Sequence, residues 1–454
     1  MFIKEIFKRF QDFALSMSAD DALFKKLEFL LVKVMMTSSD FTEVIGFENL
    51  LSLLNYFPEN MKQKLCEKLL YSFCTKSEKL SDGFLIHSIF QVAKTLHDKI
   101  DFMSEQGEID RISMIITQII SKVDHGRDLD KTLNVYTDAR GLFINLDAVT
   151  EALIHRVIGL AVRCHALAKG KHTQKTQTFV KAAIAYAHIT IPTLEEGDKQ
   201  VQLFLLAAQA ALLNGLIGEA DSLLKAMLST LDEYFDASLP GLEQTTQRVL
   251  SALGFMVIVP CNPEDQFFQL AEGIIQLIKQ HDWSHDEHHL LRCRIYAGII
   301  RYLASQQQEK LPYGVPYVNS NDTIFIGNED FKREANQLLD FCFGEILEAI
   351  TTLNDVKAGH LKELHWLCML SANVLVQNCQ VSAKKISSMS NKMFKMGDGY
   401  LAEYNAQLGE GRKAEHLTRS YLNQTFDSFK RKKEAAIDRD TMRASIASEQ
   451  GAPY

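Results

Sequence analysis

Apolar side chains recur every three or four residues through most of this chain, in blocks of about 15 to 20 residues set apart by short polar punctuation. That period is the period of a helix with one buried face. The clearest blocks cover residues 24–36, 61–73, 84–96, 109–123, 146–168, 201–213 and 331–353. In CNPEDQFFQLAEGIIQLIKQ, Asn262 is placed to cap, Pro263 to take the first helical position and Asp265 to face the positive end. A stripe of Phe267, Leu270, Ala271, Ile274, Ile275 and Ile278 follows. About 18 such blocks joined by connections of a few residues must fold back on one another as antiparallel pairs, each too small to bury a core alone. Stacking the pairs predicts an all-α chain, an α-solenoid of HEAT-like helix pairs over residues 1–434; a compact helical bundle is the alternative.

Two segments break the pattern. LPYGVPYVNSNDTIFIG, 311–327, holds two of the eight prolines and several turn formers, and reads as a long loop and a candidate contact surface, or as a plain insertion between helices. The end, 435–454, is polar, carries no stripe and is expected to be disordered.

Composition sharpens the class. Eight prolines and 23 glycines in 454 residues are few, as a helical chain requires. The formal charge of −8 opposes a broad nucleic-acid footprint and any general attraction to anionic lipid, and leaves room only for a local basic patch. Eight scattered cysteines with no C-x-x-C pair fit a reducing, cytoplasmic setting. The start, MFIKEIFKRFQDFAL, is amphipathic and carries Glu5 and Asp12, unlike a secretory signal or a transit peptide. The most apolar run, KTQTFVKAAIAYAHITIPTL, is interrupted between Phe179 and Ile191 only by Lys181, His188 and Thr190. It is shorter than the roughly 20 residues a span needs, so it reads as a buried helix with a polar start at Lys175 and Thr176, ended by Pro192.

Candidate chemistry is sparse. HDWSHDEHHLLRCR sets His285 and His289 four apart on a helix with Glu287 between them, a weak metal-ligand pattern. The order H-E-x-x-H fails because Asp286 follows His285, and a polar connection with acidic residues ahead of the next helix is the plainer reading. GDGYLAEYNAQLGEG, 397–411, lacks the Lys-Ser/Thr ending of a phosphate loop and reads as loops. FKRKKEAA gathers Lys430, Arg431, Lys432 and Lys433, either for acidic lipid or a nuclear signal, or as charges complementing a helix C-terminus. No catalytic residue and no cofactor are expected.

Three stretches carry a resemblance. HGRDLDKTLNVYTDARGLFINLDAV (125–149), KGKHTQKTQTFVKAAIAYAHITIPTL (169–194) and VNSNDTIFIGNEDF (318–331), in this order, resemble the C-terminal half of the large α-solenoid subunit of the endosomal retriever complex, the vacuolar-protein-sorting-thirty-five-like family related to the retromer large subunit. FENLLSLLNYFPENMKQKLCEKLL (47–70) is similar to an earlier helix pair, so the likeness is clearest over 47–353. Family chains are about twice this length. The resemblance implies a non-enzymatic scaffold, cytoplasmic and peripheral on endosomes, that recycles membrane cargo. It also implies partners: a small metallophosphoesterase-fold subunit on the C-terminal solenoid, an arrestin-like subunit, and a COMMD and coiled-coil assembly. The matching motif positions are Gly126, Arg127, Asp128, Tyr136, Arg140, Phe143 and Asn145, then Lys175, Thr176, Phe179, Tyr186 and Pro192. Arg127, Asp128 and Arg140 are expected to make charge-assisted bonds between neighbouring helices, and the aromatics to fill the groove between layers. His188 is expected to be a core histidine with a carbonyl or hydroxyl partner. A generic helical-repeat adaptor and a metal-dependent hydrolase built on His285, Glu287 and His289 are the alternatives.

Overall fold

A computed structural model of the chain describes residues 21–37, 54–76, 79–100, 104–261, 266–281, 283, 288–307, 314–356, 360–378 and 384–408, with single positions at 9, 427, 430, 431 and 434. Asn262, Pro263, Asp265, His285, Glu287, Lys432, Lys433 and the 435–454 segment lie outside the described residues. The chain divides into two compact units, Met1–Glu219 and Ala220–Tyr454. Both are helical, and the one β-type contact among the described residues is a single parallel bridge between Leu80 and Val123.

The first unit holds α1 (Asp21–Thr37), α2 (Glu59–Lys76), α3 (Gly83–His97), α4 (Gln106–Lys122), α5 (Leu129–Leu142), α6 (Asp147–Ala168), α7 (Gln174–Thr190) and α8 (Gly197–Leu213). Here α2, α4, α6 and α8 pack one upon the next, and α3 packs on α5. Chain neighbours also pair, α2 with α3, α5 with α6, and α6 with α7. That is the two-layered, pair-by-pair stacking of an α-solenoid. Each helix buries the stripe its periodicity requires. On α4, Ile112, Ile115, Ile116, Ile119 and Ile120 are buried, while Met114 is exposed on the other face.

Helix starts follow local chemistry. Asp82 caps α3, its side chain accepting from the N–H groups of Phe84 and Leu85. The apolar run becomes α7, opening one step earlier than Lys175: Thr173 is the cap, and Thr176 completes a reciprocal capping box with it. Pro192 then sits in a 3₁₀ turn, Ile191–Thr193, where its missing N–H ends the α-helical bonding.

α9 (Ile217–Glu233) begins at the division, and the second unit continues with α10 (Leu239–Met256), α11 (Gln269–Gln280), α12 (His288–Gln306), α13 (Asn321–Ile324), α14 (Glu329–Val356), α15 (Leu361–Asn378) and α16 (Lys384–Leu408). α10 packs on α12, α12 on α14 and α15, and α15 on α16. Among the described residues none of these helices is long and apolar enough to cross a membrane.

Three expectations are corrected here. α11 starts at Gln269, not at Pro263, and Phe268 rather than Phe267 is the fully buried ring at its head. Residues 397–408, expected as loops, are the end of α16. There Gly397 lets the helix approach α15 closely, because a Cβ at this position would stand 3.2 Å from that of Cys368, and its carbonyl accepts from His365 Nδ1 at 2.7 Å. Packing thus overrides the poor helix propensity of glycine. Finally, the 311–327 loop is not simply a surface excursion: it contains α13, and Asn321 within it is buried.

Candidate interaction surface

The first motif block builds the rim of the first unit where α4 ends and α5 begins. Val123 bridges Leu80, which holds the chain against the segment before α3 through Leu80 N to Lys122 O (2.8 Å) and Asp124 N to Leu80 O (3.0 Å). Asp124, which the sequence pattern did not single out, is the tie. Its carboxylate accepts from Arg163 Nη1 of α6 at 2.9 Å, from Lys79 Nζ at 3.1 Å and from the Gly126 N–H at 2.9 Å. Gly126 has φ of +64°, a conformation natural to glycine and rare in other residues, and this turns its N–H onto the carboxylate. The charge-assisted bonds between elements therefore belong to Asp124 and Arg163, not to Arg127 and Asp128. Asp128 instead caps its own helix, accepting from Lys131 N at 3.2 Å, and Arg127 is exposed.

The Arg163 hydrogen bond, aided by Gly126 and Lys79 against the opposing cost of burial, holds the Asp124 carboxyl down at about 2 from an ordinary 3.8. A depressed carboxyl contributes stability above its unfolded value that is lost as pH falls through the folded one, so the window lies between about pH 4 and pH 2. Asp124→Asn is expected to cost about 1–2 kcal/mol at neutral pH, after discounting for solvent screening. In urea unfolding the gap between variant and parent should narrow as pH falls from 4 toward 2. A gap independent of pH would show that the carboxylate's charge is irrelevant.

The remaining motif residues are chiefly structural. Tyr136 is buried and its hydroxyl reaches Val123 O at 3.4 Å; burial raises its pKa. Phe143 is buried between the rings of Phe90 and His97, at 5.7 and 5.9 Å, both edge-on. Asn145 adopts φ of +71° in the turn to α6, a role its short polar side chain tolerates. Arg140 does cross between helices, but by lying over the Tyr186 ring of α7 at 5.5 Å rather than by an ion pair. Tyr186 and Phe179 are buried, and burial pushes the Tyr186 hydroxyl up to about 12. Lys175 is exposed, its amine 3.9 Å from Asp130. His188, expected in the core with a carbonyl or hydroxyl partner, is instead half-buried, and its ring packs T-shaped with that of Phe204 at 6.1 Å.

The third stretch locks the second unit. Asn321 Oδ1 accepts from the Cys261 N–H at 2.8 Å, its Nδ2 donates to Gln306 Oε1 at 2.7 Å, and Gln306 Nε2 donates to Val257 O at 2.9 Å. Beside this network Phe325 stacks on Phe331 at 4.7 Å, with Phe267 edge-on to both. Asn328 caps α14 through the N–H groups of Asp330 and Phe331. Tyr317 and Ile326 remain on the surface, 72% and 81% exposed, so the outer part of this segment presents apolar side chains to solvent.

Reactive groups are few among the described residues. His289 is buried in α12, and no three His, Cys, Asp or Glu side chains gather closely enough to hold a metal. The seven described cysteines are free, and burial pushes the thiols of Cys293, Cys342 and Cys368 up to about 12, which makes them poor nucleophiles. What each unit offers is surface: helix ends and turns held in place by Asp124 in the first unit, by Asn321 in the second, and by buried aromatics in both.

A family model described as the VPS35L C-terminal domain matches residues 2–431. The chain is 29% identical over 371 residues to the VPS35 endosomal protein sorting factor-like protein of Dictyostelium discoideum, 80% of this chain and 37% of that one. It is 29% identical over 338 residues to the zebrafish (Danio rerio) counterpart, 73% of this chain and 35% of that one. To the human counterpart (Homo sapiens) it is 28% identical over 375 residues, 81% and 38%. The chain thus spans little more than a third of the length of these curated relatives. Among solved structures, a circular tandem repeat protein aligns with 95% of this chain and 100% of its own at 10% identity, with a TM-score of 0.40.

Proposed function

Because the chain belongs to the VPS35L family, we propose that it is a non-enzymatic scaffold of endosomal protein sorting, acting in a retriever-like assembly that returns membrane cargo from endosomes to the plasma membrane. The observation that carries this reading is the family match over nearly the whole chain, and the stacked helix pairs support it. Stacked repeats present many turns in fixed order, so partners gain affinity from contacts spread along the stack rather than from one pocket. The partners we propose are a small metallophosphoesterase-fold subunit held directly, with an arrestin-like subunit and a COMMD and coiled-coil assembly in the same complex. The chain would then sit in the cytoplasm, peripheral on endosomes.

Co-expression with the phosphoesterase-fold subunit of the same organism, followed by size-exclusion chromatography, tests the direct contact. The two should elute together as one stoichiometric species. Separate elution of two folded proteins would remove this partner and leave a generic helical-repeat adaptor as the better account.

A further inference from the structure

The rim that Asp124 ties together is basic on an acidic chain. Lys79 and Arg163 meet on Asp124, Lys131 pairs with Asp128 at 3.3 Å, and Lys175 stands 3.9 Å from Asp130, so these four cations belong to one edge of the first unit. Arg127 in the α4–α5 turn, with Lys169 and Lys171 in the α6–α7 turn, adds three exposed cations that pair with no described carboxylate. These seven cations stand beside four carboxylates, Asp82, Asp124, Asp128 and Asp130, a surplus of three, while the whole chain carries −8. The α6–α7 turn is also held in shape. Lys169 and Gly170 both have positive φ, and Gly170 N and Lys171 N bond back to His165 O and Ala168 O. Leu167, 49% exposed, stands two residues from Lys169.

From this placement we infer that the rim is a contact for an anionic membrane surface. A sheet of acidic headgroups matches what the rim offers. Five of the seven cations are lysines, whose flexible stems carry point charges suited to a diffuse field. The side chains of Lys131, Lys79 and Lys175 are 69%, 76% and 86% exposed, reaching outward from turns and helix ends. An acidic peptide motif is read by clustered arginines, and this edge carries two, of which Arg163 is already bonded to Asp124. Leu167 is placed to enter the headgroup layer among the lysines. The contact needs none of the partner subunits proposed above, so the failure of either leaves the other standing.

Flotation of the purified chain with vesicles tests this. The chain should bind vesicles of equal parts phosphatidylcholine and phosphatidylserine, ignore phosphatidylcholine alone, and release as salt is raised. The triple variant Lys169→Asn, Lys171→Gln, Lys175→Gln, with asparagine chosen to keep the left-handed turn, should bind about a hundredfold more weakly. Lys362→Gln, Lys392→Gln and Lys395→Gln, an equal charge change at exposed positions of α15 and α16, should leave binding intact, with circular dichroism confirming both variants folded. No binding to the anionic vesicles, equal loss in both triple variants, or binding of a polyglutamate peptide without binding of vesicles would overturn the assignment.

Discussion

Phe143→Ala should lower the stability of the first unit by about 3–5 kcal/mol, while Phe143→Leu should cost less than about 2. The side chain is 1% exposed and lies at the C-cap of α5, where its ring meets Phe90 of α3 edge-on at 5.7 Å and His97 at 5.9 Å. Truncation removes both ring contacts and opens a cavity between helices that pair-by-pair stacking cannot close, since each repeat is held only by its neighbours. The loss should therefore be local. In native-state hydrogen exchange, α3, α5 and α6 should lose protection while α12 and α14 keep theirs. Uniform loss across the chain, or a change below about 1 kcal/mol, would refute the stacking argument.

The second large effect belongs to Asn321. Asn321→Ala is expected to destabilise the second unit by about 2–5 kcal/mol, because it strands the Cys261 N–H and the Gln306 Oε1 in a buried site, each at the cost of an unmade hydrogen bond. The cost is large because both partners remain. Gln306 is fixed by its bond to Val257 O and cannot turn to recover a partner without giving that bond up. Asn321→Asp keeps the acceptor for Cys261 but sets a carboxylate against Gln306 Oε1, so it should be worse than alanine at neutral pH and recover partly in acid, as the new side chain becomes a donor. Denaturant unfolding followed at two pH values reads both variants. An aspartate variant as stable as the parent at neutral pH would show that the network is not what holds α13 in place.

How much of this was legible in the sequence depends on how far apart the interacting residues lie along the chain. The helices were legible because their signal is local: the isoleucines of α4 and the Thr173 to Pro192 run announce themselves within a few turns. The aromatic motif positions Tyr136, Phe143, Phe179 and Tyr186 were expected inside and are buried. Asp124 and Asn321 were missed because each sits among turn formers, where a polar residue looks solvated, and its partners lie 39 and 60 residues away. Arg140 was assigned the right reach but the wrong partner, since charge spacing says nothing of an aromatic face on α7. Gly397 shows the reverse failure: a local breaker signal yields to packing against Cys368. The rim basicity was equally hidden, because Lys79, Arg163 and Lys169 come together only once α2 to α7 have stacked.

Affinity capture of the tagged chain from its own cells, with the co-purifying proteins identified by mass spectrometry, tests the central claim most directly. The account predicts recovery of the metallophosphoesterase-fold subunit together with COMMD proteins. Recovery of the intact chain with neither of them would contradict it.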